Sequence, residues 1–292
     1  MRTDQLHTWY IQMTDQCTHT CAHCFSSCSP SGQAVLPFSL LRKWIHQLAT
    51  VTRKRLVFTG GEPFLHFAML RNLVHEAVAT GFFTSVWTNG FWITEPDVFR
   101  LTLRYLTDVG LAELIISDDE FHGKAPFSTW KDRLLPIAQE LGVKLRFASV
   151  VPKIPDTPPD FFFEDHHVLV GPVMHRGRAA TTCTSGQNLW QVSDFDTCPF
   201  LSFESPHTLF IDAYGLLNIC PGFPLADLKQ ISIKRFLAEF DIQQHPMASI
   251  IAIGGPAALA QKQGIAPSTG FVDYCHACWT LRQKFITSKT PL

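Results

Sequence analysis

Short apolar segments alternate with segments of helical periodicity over the first half of the chain. Five segments rich in aliphatic and aromatic residues are predicted strands: residues 7–13, 55–59, 85–88, 113–117 and 144–151. Three segments between them have helical periodicity and recognisable ends: residues 65–80, 95–109 and 128–141. This alternation predicts βα units around a parallel sheet, in which ligands bind at the carboxyl ends of the strands.

The pattern changes after residue 151. Residues 151–160 contain four prolines and are predicted to form an extended loop, and residues 167–174 are predicted as a further strand. From about residue 181 the clearest element is a hairpin with strands at 207–212 and 216–220, followed by predicted helices at 232–240 and 256–263. We therefore predict two domains, residues 1–180 and residues 181–292.

Composition and charge exclude several classes of protein. Hydrophobic residues make up 46% of the chain and charged residues 17%, which excludes intrinsic disorder. Lys and Arg number 24 against 25 Asp and Glu, so a polybasic nucleic-acid-binding protein is not expected. The first 15 residues lack an apolar signal segment, and the apolar stretch at 249–260 is shorter than the roughly 20 residues of a membrane span. We expect a cytoplasmic protein that binds neither nucleic acid nor membrane.

Cys17, Cys21, Cys24 and Cys28 lie within twelve residues directly after the first predicted strand. Thiols this close together can surround one metal centre, and a reducing cytosol disfavours disulfides. A structural zinc site and a ferredoxin-like cluster are the ordinary explanations. The spacing differs from both, because ferredoxins use C-x2-C-x2-C-x3-C-P and zinc sites usually pair two separated C-x2-4-C hooks.

The segment CTHTCAHCF, from Cys17 to Phe25, has the spacing C-x3-C-x2-C followed by an aromatic residue. It resembles the radical S-adenosylmethionine (SAM) superfamily, in which three cysteines hold a [4Fe–4S] cluster and leave one iron open for SAM. The resemblance implies that Cys17, Cys21 and Cys24 are iron ligands, that Cys28 is not, and that Phe25 lies at the cofactor. It also implies an α/β fold with a partial (β/α)6 TIM-like barrel. The implied activity is reductive cleavage of SAM to a 5′-deoxyadenosyl radical, with an electron donor such as flavodoxin or ferredoxin.

Two glycine-containing motifs follow the second and third predicted strands. Gly60-Gly61-Glu62-Pro63 permits close backbone approach to a ligand, supplies a carboxylate and presets a helix start. It resembles the family's site for the SAM amino group, which implies that these four residues bind the cofactor. Thr88-Asn89-Gly90 resembles the family's TNG element and implies cofactor binding by Asn89. By themselves, the two motifs are also typical of a βα turn and an Asn-Gly turn.

Two weaker motifs lie after later strands. Ser117-Asp118-Asp119 resembles a family Ser-x-Asp element, which implies that Ser117 lies near the SAM ribose and that Asp119 is catalytic. The additional Asp118 leaves the register open, and solvated loop carboxylates or a helix cap would explain the same residues. Gly177-Arg178-Ala179 resembles a Gly-Arg-Ala element past the last barrel strand and implies cofactor binding by Arg178, although a surface arginine has the same pattern. The remaining histidines lack ligand spacing and are expected to be core or surface residues.

A second group of cysteines lies near the C-terminus. Cys220 ends a G-x4-C motif in the predicted hairpin, Cys275 and Cys278 form a C-x2-C hook, and Cys198 precedes both. This arrangement resembles the SPASM/twitch extension of radical SAM enzymes, and the single hook implies the twitch form with one auxiliary [4Fe–4S] cluster. Zinc suits the same four cysteines. Cys183 is a competing first ligand, and Cys198 is the expected one.

The resemblance implies an oxidation in which the auxiliary cluster accepts an electron from the substrate. A peptide or protein substrate is predicted first, and dehydrogenation of a small molecule such as an aminocyclitol or a sugar alcohol is the alternative. A non-enzymatic iron–sulfur or zinc protein would explain the cysteines but not the motifs at the strand ends. Because the first cysteine of the motif is residue 17, no precursor-binding module is expected before the barrel. A peptide substrate would then need a separate precursor-binding protein.

Overall fold

The computed structural model describes residues 4–51, 54–122, 130–151, 163–164 and 167–288. Its strands are β1 (Thr8–Gln12), β2 (Arg55–Thr59), β3 (Phe83–Thr88), β4 (Glu113–Ser117), β5 (Lys144–Val151), β6 (Phe163–Glu164), β7 (Val168–Pro172), β8 (Trp190–Gln191), β9 (Thr208–Ile211), β10 (Leu216–Cys220), β11 (Phe223–Asp227) and β12 (Gly270–Phe271). Its α-helices are α1 (Phe38–Val51), α2 (Phe67–Ala79), α3 (Pro96–Thr107), α4 (Lys131–Glu140), α5 (Ala179–Thr182), α6 (Ile233–Glu239), α7 (Ala248–Lys262) and α8 (Tyr274–Ser288).

Six parallel strands form the centre of the molecule, in the order β1-β2-β3-β4-β5-β7. The helices α1 to α4 each connect two successive strands and pack on the sheet. Leu56, Val57 and Phe58 of β2 are all fully buried, as expected for a parallel strand covered on both faces. The predicted α/β fold with a partial TIM-like barrel is confirmed, and it brings the carboxyl ends of these strands to one edge.

Most predicted strands agree with the observed ones to within two residues, and those at 55–59, 113–117, 144–151 and 216–220 have the observed bounds. The sequence analysis missed α1, although its buried residues Leu41, Trp44, Ile45 and Leu48 have helical spacing. The predicted helix at 256–263 is the second half of the longer α7, which is kinked at Gly254 and Gly255. The proline-containing loop predicted at 151–160 lies outside the described residues except for Val151.

The predicted hairpin extends the central sheet. Strand β9 pairs in parallel with β1, and β10 and β11 continue the sheet in antiparallel pairing. Residues from both sides of position 180 therefore belong to one ten-stranded sheet. The division into two domains near residue 180 stays a prediction. None of the helices in the described part of the chain is long and apolar enough to cross a membrane.

Candidate functional site

The loop that follows β1 carries the first four cysteines and packs closely against the end of β2. The backbone N–H groups of Gly61 and Glu62 donate to the carbonyl oxygens of Thr14 (2.7 Å) and Gln16 (2.8 Å). A Cβ atom on Gly61 would lie 1.9 Å from the Gln16 carbonyl oxygen, so only glycine fits at this position. The double glycine therefore positions the start of the cysteine loop.

A cavity of about 330 Å³ lies beside this loop, at the carboxyl ends of the barrel strands. All four cysteines of the loop line it. The other predicted site residues that line it are Phe25, Gly60, Gly61, Asn89, Ser117 and Asp119. Three thiols on one loop beside a cavity of this size suit a metal–sulfur cluster with room for a further ligand. We call this space the first cavity.

Glu62 and Pro63 lie behind the wall of the first cavity. The Glu62 carboxylate is fully buried and accepts hydrogen bonds from Thr88 Oγ1 (2.8 Å), Asn89 N (2.7 Å) and Phe64 N (3.0 Å). Burial raises the pKa of Glu62 to about 7 in spite of these bonds. Pro63 begins a short 3-10 helix that Glu62 caps. In this structure Glu62 joins the ends of β2 and β3, and its contact with a cofactor stays a prediction.

Asn89 connects the end of β3 to the cysteine loop. Its Nδ2 atom lies 3.6 Å from Cys17 Sγ, 2.9 Å from Thr18 Oγ1 and 2.9 Å from His19 Nδ1. The amide therefore orients the side chain of Cys17.

The thiols of the loop differ in their electrostatic environment. Burial raises the pKa of Cys17 to about 11. The thiol of Cys28 donates to Cys24, which lowers the pKa of Cys24 to about 6 and raises that of Cys28. Cys28 also accepts a hydrogen bond from Gln12 Nε2 at 3.3 Å. Cys28 thus lies at the first cavity beside Cys24, and its exclusion from the metal ligands stays a prediction.

Ser117 and Asp119 face the first cavity, and the intervening Asp118 does not. The Asp118 carboxylate instead pairs with Lys131 Nζ at 2.8 Å, and Ser117 Oγ accepts a hydrogen bond from Trp87 Nε1 at 3.1 Å. The register that the sequence left open is therefore the one in which Ser117 and Asp119 share a side.

Three histidines line the first cavity, contrary to the expectation that they are core or surface residues. His122 Nδ1 lies 2.8 Å from Asp119 Oδ1, and ligand atoms of His23, Asp119 and His122 all lie within 4.8 Å of one another. Burial alone would raise the pKa of Asp119, but the bond from His122, the charges of His122 and His23 and the Val150 N–H together outweigh it and lower this pKa. Burial acts against protonation of His122, but Asp119 and Cys21 raise its pKa to about 10. His19 is the third histidine that lines the first cavity. It is far from His122 in the sequence, so no spacing motif could have predicted that the two lie at the same cavity.

Arg178 lies behind the cysteine loop and does not line the first cavity. Its guanidinium donates to the carbonyl oxygens of Cys21 (2.7 Å), Cys28 (2.7 Å) and Ser27 (3.0 Å). The preceding Gly177 has a φ of +59°, and a Cβ atom there would lie 2.2 Å from the Phe25 carbonyl oxygen. Arg178 thus holds the loop in place, and its contact with a cofactor stays a prediction.

Cys198, Cys220, Cys275 and Cys278 line one small cavity of about 30 Å³. Cys220 ends β10, and Cys275 and Cys278 lie in the first turns of α8. Cys183 is not among the residues around this cavity; it caps the C-terminus of α5. The donor set of four thiols suits a fully ligated metal–sulfur centre. We call this space the second cavity.

The two cavities lie side by side. Pro221, Gly222 and Trp279 line the first cavity, whereas their sequence neighbours Cys220 and Cys278 line the second. A Cβ atom on Gly222 would lie 2.2 Å from the Trp279 ring, so the turn after β10 packs directly on α8. The hairpin and α8 therefore form the wall between the cavities.

Comparison with known proteins relates this arrangement to iron–sulfur proteins. Residues 8–105 match a family model described as "4Fe-4S single cluster domain". The "Putative peptide biosynthesis protein YydG" of Bacillus subtilis (strain 168) is 28% identical over 118 residues, which cover 40% of this chain. The match spans only 36% of the length of that relative.

Two solved structures share the fold. BtrN in complex with AdoMet and 2-DOIA has a TM-score of 0.53 at 14% identity, and the match covers 82% of this chain and 85% of that chain. A histidine-tagged form of anSMEcpe with bound AdoMet has a TM-score of 0.52 at 11% identity, and the match covers 97% of both chains. These likenesses show the fold, and the matched 4Fe-4S domain includes the C-x3-C-x2-C loop after β1.

Proposed function

We propose that the chain is an enzyme that reductively cleaves SAM and uses the resulting radical to oxidise a peptide or protein substrate. One observation carries the proposal: the first cavity, with the three-cysteine motif, shares a wall with the second cavity and its four cysteines. Side-by-side metal–sulfur centres suit a reaction that generates a radical at one centre and removes an electron at the other.

Cys17, Cys21 and Cys24 are the proposed ligands of a [4Fe–4S] cluster in the first cavity. With SAM bound, this group supplies a 5′-deoxyadenosyl radical that abstracts a hydrogen atom from the substrate. The surrounding residues hold the ligands in place: Asn89 orients Cys17, Gly61 admits the loop beside β2, and Arg178 binds the loop carbonyls.

The proposed ligands in the second cavity are Cys198, Cys220, Cys275 and Cys278. An auxiliary [4Fe–4S] cluster there would accept the electron of the substrate radical. Because the radical is not returned to 5′-deoxyadenosine, SAM is consumed as a co-substrate. The electron for its cleavage comes from a donor such as flavodoxin or ferredoxin. Asp119 and His122 share a proton across a 2.8 Å contact at the first cavity. Because the pKa of His122 is raised and that of Asp119 is lowered, they form an ion pair that can orient a polar group of the substrate.

The likeness to the "Putative peptide biosynthesis protein YydG" supports a peptide substrate. A separate precursor-binding protein would then deliver the peptide. A small alcohol, such as an aminocyclitol or a sugar alcohol, is the alternative substrate class.

Anaerobic reconstitution with iron, sulfide, SAM and dithionite tests the activity. We expect the wild type to release 5′-deoxyadenosine and Cys21→Ala to release none, because two thiols cannot hold the cluster. Cys28→Ala should remain active, since the proposal leaves Cys28 unligated, and Cys183→Ala is the control outside both cavities. An iron-loaded wild type that releases no 5′-deoxyadenosine would refute the proposal. Equal loss of iron in Cys28→Ala and Cys21→Ala would refute the three-cysteine assignment.

Mass spectrometry of candidate substrates tests the substrate class. We expect a short peptide encoded beside the gene to lose two hydrogen atoms during turnover. The same loss from an aminocyclitol, with no change in the peptide, would refute the peptide assignment and support the alternative.

A further inference from the structure

Two arginine side chains line the second cavity together with the four cysteines. Arg282 lies one turn after Cys278 on α8 and is only 1% exposed. Its guanidinium donates to the carbonyl oxygen of Gly222 and lies over the rings of Phe223 (4.5 Å) and Trp279 (5.4 Å). Arg176 follows β7, and its guanidinium lies 5.4 Å from the centre of the Phe25 ring.

The charges of these arginines are poorly compensated by the protein. The Nε atoms of Arg176 and Arg282 are buried and have no hydrogen-bond partner among the described residues. The arginine–carboxylate salt bridges in the described part of the chain involve other arginines. Arg282 donates to the Gly222 carbonyl oxygen and Arg176 Nη2 to Met174 Sδ at 3.3 Å, but neither partner carries a negative charge, so an anionic group in the second cavity would explain both side chains.

We infer that Arg176 and Arg282 are the counter-charges of the metal–thiolate group of the second cavity and that they raise its reduction potential. This inference rests on the proposed function, because it takes the group to be the auxiliary [4Fe–4S] cluster. Four thiolates make such a cluster a dianion, and the gain of one electron makes it a trianion. Nearby positive charges therefore stabilise the reduced state more than the oxidised state.

The electron balance is simple. One electron moves from the substrate radical of the proposed function to the group in the second cavity, and it leaves to a one-electron carrier protein of the flavodoxin or ferredoxin class. No bond forms or breaks at the second cavity. The proton that the substrate releases goes to water.

Arg176 lies close enough to Cys275 and Cys278, and Arg282 to Cys278, for their charges to act on these sulfur atoms. Asp273 is a nearby carboxylate that acts against Arg176 at Cys275. Its Oδ2 atom lies 2.6 Å from His175 Nδ1.

The test uses the full chain with Cys17, Cys21 and Cys24 replaced by alanine, so that only the second cavity contributes a signal. This parent is reconstituted without oxygen, its iron and zinc are counted, and its midpoint potential is measured by potentiometry with EPR detection. Added to the parent, Arg176→Met and Arg282→Met should each lower the ratio of reduced to oxidised cluster about tenfold at a fixed potential. A tenfold change equals 59 mV for a one-electron couple.

Two control series separate charge from structure. Arg176→Lys and Arg282→Lys keep the charge and should keep most of the potential. Arg235→Met removes a charge from a side chain of α6 that is 67% exposed, and it should leave the potential unchanged. Arg176 is less buried than Arg282, so its variants keep the test decisive if Arg282→Met does not fold.

The outcomes are distinct. If the iron-loaded methionine variants keep the parent's midpoint potential, the inference is overturned and the proposed function is not. The same holds if the midpoint potential of the lysine variants falls as far as that of the methionine variants. A parent that holds zinc or no metal would overturn the proposed auxiliary cluster and the inference together.

Discussion

At the scale of single residues, Glu62 is a buried carboxylate with neutral partners. Its three hydrogen-bond donors are a hydroxyl and two backbone N–H groups. Burial outweighs these bonds, so the pKa of Glu62 is raised from 4.5 to about 7. The native state therefore binds a proton at Glu62 more tightly than the unfolded state does.

This shift predicts a pH-dependent stability. The contribution of Glu62 is fully present below pH 4.5 and is lost as the pH rises through 7. Between pH 5 and pH 8 the metal-free wild type should lose about 2.5 kcal/mol of unfolding free energy relative to Glu62→Gln. Urea unfolding of both proteins across this range measures the difference, in which the titration of the other groups cancels. A difference that does not change with pH would contradict the prediction.

At the scale of elements, the turn after β7 holds the cysteine loop after β1. Arg178 donates to three carbonyl oxygens of that loop, and its own N–H donates to Cys24 O at 3.0 Å. Gly177 allows the two segments to approach closely, because a Cβ atom added there would lie only 2.2 Å from the Phe25 carbonyl oxygen. The last parallel strand of the barrel thus supports a loop that starts from the first one.

We predict that Arg178→Ala lowers the unfolding free energy by about 3 kcal/mol, because three charge-assisted hydrogen bonds are lost. Reconstituted Arg178→Ala should also hold fewer irons per chain than the wild type. Arg178→Lys should recover only part of both losses, since an ammonium lacks the planar fork of a guanidinium. Urea unfolding and iron analysis check these effects, and the exposed Arg235→Ala is the control. Wild-type stability and iron content in Arg178→Ala would show that the loop does not depend on this arginine.

At the scale of the whole molecule, the extended sheet brings the two groups of cysteines together. Strand β9 pairs with β1, so the hairpin that ends in Cys220 lies next to the strand that leads to Cys17. Helix α8 then covers the end of the hairpin through Trp279 and Gly222. Cysteines more than 200 positions apart, such as Cys17 and Cys220, thereby come to lie on the two sides of one wall.

This arrangement predicts two separable metal contents. The reconstituted wild type should hold about eight irons per chain, and the double variant Cys275→Ala/Cys278→Ala about four. The double variant should still cleave SAM but should not complete the product, because its electron acceptor is missing. Iron analysis, 5′-deoxyadenosine release and product analysis measure the three effects, with Cys183→Ala as the full-iron control. Full iron content in the double variant would contradict the assignment of the second cavity.

The sequence by itself determined most of the strands and helices of the barrel and the main motifs. Periodicity reports which side of a segment is buried, so the strands at 55–59, 113–117 and 144–151 were predicted with their observed bounds. The cysteine motif after β1 and the Ser117-x-Asp119 element were also recognisable, because their chemistry depends on spacing within one loop. The match at residues 8–105 bears out the assignment of the first motif to an iron–sulfur domain.

Only the tertiary structure decided which distant residues meet. The pairing of β9 with β1, the contact of His122 with Asp119 beside His23, and the convergence of Arg176 and Arg282 on one cavity join different elements. The burial of Glu62 behind the first cavity likewise depends on how the ends of β2 and β3 pack. Local periodicity carries no information about such contacts, because they follow from the order of strands in the sheet and from the packing of α8 against the hairpin.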